Sequence, residues 1–241
     1  MDEDYVVFVQ VLGPENLQVA SRRTYPGLGR FPTSLWPVGR AFCDTYRMDV
    51  APWAEAPLRY QIEIGLFAPE SDTRLPAANA QGATVEVPIA ANVVVAPPDA
   101  QAAPDQPALA RLGEVIALRS YEVHTPVRAG KPLTVTLRWE ALAPMEKDWL
   151  AFIHLWTPGT PAPLAQSDAP PRDGWYPTSV WQAGDRVPDR HTLQLPADLA
   201  PGRYPLWAGM YRPEDGARLP AFGPEGRYAH DLIPLGEVEV R

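Results

Sequence analysis

One feature restricts this chain more than any other: it repeats itself. Asp4-Tyr5-Val6-Val7-Phe8-Val9-Gln10-Val11 matches Asp148-Trp149-Leu150-Ala151-Phe152-Ile153-His154-Leu155. Phe31-Pro32-Thr33-Ser34-Leu35-Trp36 matches Tyr176-Pro177-Thr178-Ser179-Val180-Trp181, and each copy continues to a glycine (Gly39, Gly184) and an aspartate (Asp44, Asp189). Ile64-Gly65-Leu66-Phe67-Ala68-Pro69 matches Ala208-Gly209-Met210-Tyr211-Arg212-Pro213, and Leu75-Pro76-Ala77 matches Leu219-Pro220-Ala221. The offset stays at 144 or 145 throughout. Four blocks in register mean one fold written twice, so any architecture must accommodate two similar halves.

The copies are unequal. Copy two is preceded by a stretch, Ala108 to Lys147, with two clear strand patterns; copy one has no such stretch. Three readings stay open: a shortened chain, a degenerate copy stable without those strands, or strands supplied by another segment or chain. Between the copies runs Ala96-Pro97-Pro98-Asp99-Ala100-Gln101-Ala102-Ala103-Pro104-Asp105-Gln106-Pro107. Its alanine, proline and acid content predicts a semi-rigid, polyproline-like linker. The expected division is therefore 1–95 for an incomplete module, 96–108 for the linker and 109–241 for a complete module.

The period within each copy is that of strands. In Leu133-Thr134-Val135-Thr136-Leu137-Arg138-Trp139-Glu140 the apolar residues fall at every second position, the mark of a half-buried strand. Trp149 to Trp156 is apolar on both faces, as a central strand requires. Tyr60, Ile62, Ile64 and Leu66 share one face, with Gln61 and Glu63 on the other. Pro205, which cannot donate to a ladder, places Tyr204–Tyr211 at an edge or gives it an irregular start. Val85-Glu86-Val87 and Val238-Glu239-Val240 are expected to close the two copies. Proline is 30 of 241 residues, more than twice the usual ~5%, which excludes a mainly helical chain. The expected fold is all-β: two tandem antiparallel β-sandwich modules, immunoglobulin-like or jelly-roll-like, the first lacking its opening strands.

Charge and motifs exclude several functions. The net charge is -8 and only Lys131 and Lys147 are lysines, so no basic surface for nucleic acid is expected. No apolar run approaches the ~20 residues of a membrane span, so no membrane insertion by this segment is expected. The acidic start MDEDYVVFVQVLG reads as a strand and not an export signal. Cys43 stands alone and permits no internal disulfide. There is no G-x-S-x-G elbow, no phosphate-binding glycine loop and no zinc spacing among His124, His154, His191 and His230. Asp168, Asp173 and Asp189 lack the spacing of a calcium loop. The reading therefore assigns no catalytic residue, no metal and no cofactor.

What remains is aromatic. Trp175, Tyr176 and Trp181 bracket the Pro-Thr-Ser loop, Trp36 repeats the position of Trp181, and Trp207 lies on the polar face of its strand. These rings suit a glycan-binding platform at the sandwich rim, or equally anchors that hold the loop down. His154, which matches Gln10, reads as an internally satisfied polar residue. His191 reads as alternating toward solvent, and Asp44 and Asp189 read as carboxylates that bond loop backbone.

The Phe152-Ile153-His154-Leu155 strand, the Tyr176–Trp181 loop with Gly184 and Asp189, the Pro201-Gly202-Arg203-Tyr204 turn and the Val127-Arg128-Ala129-Gly130-Lys131-Pro132-Leu133 turn carry a resemblance. The chain resembles the tandem β-sandwich accessory modules of bacterial, Chloroflexi-type, membrane glycosyltransferase-like proteins. The resemblance spans nearly all of copy two and most of copy one, which departs with Gln10 in place of the histidine. It implies an extracytoplasmic or cell-surface module without assigned activity, and it carries over no catalytic residue. The partners expected are a glycan at the rim aromatics or another envelope protein, and, from the missing strands, a strand donor for residues 1–95.

Overall fold

In the computed structural model, residues 3–97 and 107–241 are described. The expected linker falls mostly outside them. The chain is all-β: among the described residues there are several antiparallel sheets, no barrel and no helix of seven residues or more. It divides into two compact units, Met1–Ala96 and Pro97–Arg241.

The first unit contains β1 (Val6–Leu12), β2 (Gln18–Thr24), β3 (Leu58–Ala68), β4 (Thr73–Arg74), β5 (Ala77–Ala78), β6 (Thr84–Val85) and β7 (Ile89–Val95). The second contains β8 (Ala110–Leu112), β9 (Ile116–Val123), β10 (Pro132–Ala141), β11 (Leu150–Leu155), β12 (Ala165–Ala169), β13 (Arg186–Gln194), β14 (Gly202–Tyr211), β15 (Ala221–Gly223), β16 (Gly226–Arg227) and β17 (Ile233–Val240).

The second unit is a two-sheet sandwich. One sheet runs β13-β10-β9-β8-β15-β16 and the other β12-β11-β14-β17. The alternation in β10 puts Leu133, Val135, Leu137 and Trp139 in the core, each fully buried. Side chains of this size stabilise by about 1.5–3 kcal/mol each when buried. Ala151, Ile153 and Leu155 of β11 pair with Met210, Ala208 and Leu206 of β14 and form the opposing inner face, also buried.

One strand expectation is met and one is corrected. Of the two outcomes expected for Pro205, an edge position or an irregular start, the second is observed: β14 is interior, between β11 and β17. The ladder to β17 shifts register between Pro205 and Trp207, and such an irregularity absorbs the missing donor. The strand that closes copy one is β7, not Val85–Val87: Val85 belongs to the short β5–β6 ribbon. Tyr60 pairs with Val93 as Tyr204 pairs with Val238, so the repeat offset itself marks β7.

The first unit has one main sheet, in the order β2-β1-β3, with β4 and β7 both on the far side of β3. Its register repeats that of the second unit: Val9 pairs with Ile64 as Ile153 pairs with Ala208. Gly65 and Gly209 both lie beneath a phenyl ring. A Cβ at Gly65 would lie 2.5 Å from the Phe8 ring, and one at Gly209 would lie 2.4 Å from the Phe152 ring. The opposing sheet has no counterpart among the described residues of this unit. Residues 41–49, which match β13 by offset, form no strand. The physical reason is simple: β13 ladders only with β10, and nothing in the first unit stands where β10 would.

Candidate functional site

The two copies share a code of hydrogen bonds around the Pro-Thr-Ser loop. Thr178 Oγ1 donates to the Lys147 carbonyl (3.0 Å) and accepts from the Trp149 N–H (2.9 Å); Thr33 Oγ1 does the same with Glu3 (2.8 Å) and Tyr5 (2.9 Å). The Ser179 N–H donates to Asp148, and the Ser34 N–H to Asp4. Trp181 Nε1 donates to the Tyr176 carbonyl, and Trp36 Nε1 to that of Phe31. The motif is a clamp that fastens the loop to the entry of β11 or β1.

Behind it, in the second unit, lies a buried polar chain. Asp189 accepts from Trp139 Nε1 (3.2 Å), from the Arg172 backbone N–H (3.0 Å) and from His191 Nε2 (3.0 Å). His191 Nδ1 meets Ser167 Oγ at 3.1 Å. Ser167 is on β12 and the others' strands belong to the opposite sheet, so the chain ties the two layers together. The outward orientation expected for His191 is corrected. It shares a face with Val187 and Leu193 and is only 1% exposed. The order serine–histidine–carboxylate is that of an acyl-transfer triad. Here the imidazole has no open face to a substrate, and the carboxylate is saturated by three donors. The arrangement satisfies buried polar groups and holds the core in register.

In the first unit the same carboxylate is exposed. Asp44 accepts from the Gly27 N–H (2.7 Å), as Asp189 does from Arg172, and from the Tyr46 hydroxyl (2.5 Å), which stands where His191 does. No indole reaches it, and Asp44 is exposed. The Tyr46 hydroxyl and then the Gly27 N–H hold its carboxyl below the usual carboxylate range. Along residues 41–49 only side-chain and turn bonds occur, with no ladder.

The apolar row above this segment is open as well. Ile64 is 41% exposed and Val93 37%, whereas their counterparts Ala208 and Val238 are 0% and 6% exposed. Ile62 and Leu66 are half-buried where Leu206 and Met210 are sealed. Of the sixteen large apolar side chains exposed among the described residues, thirteen belong to the smaller first unit. Patches of this kind mark interaction surfaces.

The expected ring platform does not form as such. Tyr176 and Trp181 are corrected: they are 1% and 0% exposed, stacked at 6.2 Å inside the sandwich. Trp36 is half-buried in a cluster with Phe31 and Phe42, at 6.5 and 5.2 Å. Trp175 is half-buried at the end of the turn that carries Arg172. Trp207 is half-buried on the outer face of β14. There it packs edge-on against Trp156 at 6.5 Å and donates to the Trp156 carbonyl. The sequence reading passed over Trp156, although period-2 spacing puts it on one face with Phe152 and His154. That face also carries His154 against Asp168 at 3.4 Å and Arg218 over the Phe152 ring at 5.1 Å. In the first unit the position of Trp207 is Glu63, which is buried beneath an ion pair with Arg74 at 2.7 Å. Asp168 lies on the outer face and Asp189 on the inner, so the acids weighed for calcium do not converge. No family model matches the chain, and no curated protein matches it.

Proposed function

We propose that this chain is a non-catalytic recognition and assembly module of the bacterial cell surface, in which a complete β-sandwich accompanies a half-sandwich that receives a partner. The extracytoplasmic placement rests on the resemblance to glycosyltransferase-linked modules. One observation carries the assembly reading: the inner face of the first unit exposes Ile64 and Val93 where the second unit buries the same positions. The test is binding of an environment-sensitive apolar dye to the full chain. Dye fluorescence should rise, and Ile64→Glu should abolish most of that rise without changing the unfolding of the second unit. A chain that binds no dye would remove the basis of the reading.

A second reading is favoured by the Trp156–Trp207 pair beside His154 and Asp168. Aromatic rings flanked by polar side chains are what a saccharide stacks on. Calorimetry with envelope polysaccharides is expected to give heat that Trp207→Ala removes. Heat that survives this substitution rules the face out.

A further inference from the structure

We infer that the first unit is completed by a β-meander with the sequence pattern of β8–β10. Its last strand, the counterpart of β10, lies antiparallel to residues 41–49, with an indole N–H directed at Asp44. The inference rests on the assembly reading above and names the partner for its open face.

Three observations support it. The first is the backbone of 41–49, which is mostly exposed and makes no ladder, its Thr45 N–H being bonded to Asp44. A strand pairs such a row of N–H and C=O groups, which a glycan or a flat apolar surface does not. The second is the register visible in the other copy. There Trp139, Leu137 and Val135 of β10 stand opposite Val187, Asp189 and His191. Moved by the offset of 145, these become Phe42, Asp44 and Tyr46. The donor therefore carries an indole opposite Phe42 and apolar residues opposite Asp44 and Tyr46. Asp189 and Asp44 each accept three donors, but where Asp189 takes an indole from the facing strand, Asp44 takes the N–H of its own neighbour Thr45. The third is the entry path. The backbone at Glu3 and Asp4 is fastened to the Thr33-Ser34 loop as Lys147 and Asp148 are to Thr178-Ser179. In the second unit the chain reaches that clamp directly from β10. A neighbouring strand at ~4.8 Å extends the new layer over the Ile64 and Val93 row, so a meander covers what a single strand leaves open.

The experiment joins a second copy of residues 108–147 ahead of the full chain and follows amide hydrogen exchange at 41–49. Alkylation of Cys43, the single cysteine and exposed in that segment, is a second readout. In the unmodified chain the 41–49 amides should exchange freely. In the fused chain they should slow by roughly a hundredfold or more, as ladder amides that open only by sub-global unfolding do. Asp44→Ala in the fused chain should cancel much of that gain, and no effect would remove the carboxylate's role. No protection in the fused chain overturns the meander and leaves the dye-binding test of the assembly reading untouched. A concentration-dependent dimer of the unmodified chain that protects 41–49 makes a second copy the occupant and also overturns it. A monomer already protected there closes the face and sinks both readings.

Discussion

The two units carry the same clamp, the same phenyl-over-glycine contact and the same carboxylate-to-turn bond, but only one has a second layer. The sealed unit turns the carboxylate into a core element: Asp189 is 1% exposed and bridges turn, indole and imidazole. In the open unit the equivalent residue is a surface group. Local hydrogen-bond patterns therefore survive the loss of the opposing sheet, because they close within one loop and one strand entry. The long-range ladder does not, and the inner face stays buried along β1 at Val7, Val9 and Val11 but opens at Ile64 of β3 and Val93 of β7. Equal substitutions in the two copies should thus have unequal costs.

The largest difference is expected at the loop tryptophans. Trp181→Ala removes a fully buried ring bonded through Nε1, and buried Trp→Ala changes cost about 3–5 kcal/mol. Trp36→Ala should cost less than half of that, since Trp36 packs only against Phe31 and Phe42 at a half-exposed site. Urea unfolding followed by far-ultraviolet dichroism checks this. Similar losses at both positions would mean that the first unit is as well packed as the second.

A smaller difference is expected at the glycines. A Cβ on Gly209 meets the Phe152 ring at 2.4 and 2.7 Å and the Asp231 carbonyl at 3.2 Å, so it is blocked by backbone as well as by the ring. At Gly65 the three nearest atoms all belong to the Phe8 ring, which is buried beneath the half-exposed Arg74 side chain and can shift as that chain moves. Overpacking costs typically about 1–3 kcal/mol; Gly209→Ala belongs at the upper end and Gly65→Ala at the lower. Equal thermal shifts would show that Phe8 is held as firmly as Phe152.

How far these contrasts could be read beforehand depends on the range of the interaction. The repeat offset located both copies, and strict alternation located β10 almost to the residue. The same offset points to β7 through Val93–Val95, but the local Val-x-Val pattern at 85–87 drew the strand to the wrong place. The expected alternation of His191 toward solvent fails, because its spacing from Val187 and Leu193 puts it inward. The bond to Ser167 that makes this tolerable comes from a different sheet, and no local pattern encodes it. Glu63 follows the same logic: its buried position depends on Arg74. Of the aromatic residues proposed for a rim, Tyr176 and Trp181 turned out to be core because their loop folds inward through its own clamp. Trp156 was legible from alternation alone.

The finest comparison is in alkali. Tyr46 donates to Asp44, and Tyr176 donates to Asp185. Burial first, then the carboxylate acceptor, pushes the Tyr46 phenol up to about 12, and the same causes push Tyr176 higher still. Each folded-state value lies above the ~10 of a free phenol, so the fold favours the neutral form. The stability each contributes is complete below pH ~10 and is lost as pH rises through its folded value. The first unit should loosen between pH 10 and about 12, before the second. Phenolate absorbance in a slow alkaline titration measures this, and Tyr46→Phe should delete the earlier of the two late steps. The same substitution acts at the acid end. The Tyr46 hydroxyl is the main cause of the low Asp44 pKa, and that carboxylate stabilises above its unfolded value and loses its contribution as pH falls through its folded one. In Tyr46→Phe this acid loss should therefore be smaller and complete at a higher pH. If acid and alkaline limbs both stay unchanged, Asp44 and Tyr46 are not the pair that holds this loop in the absence of its second sheet.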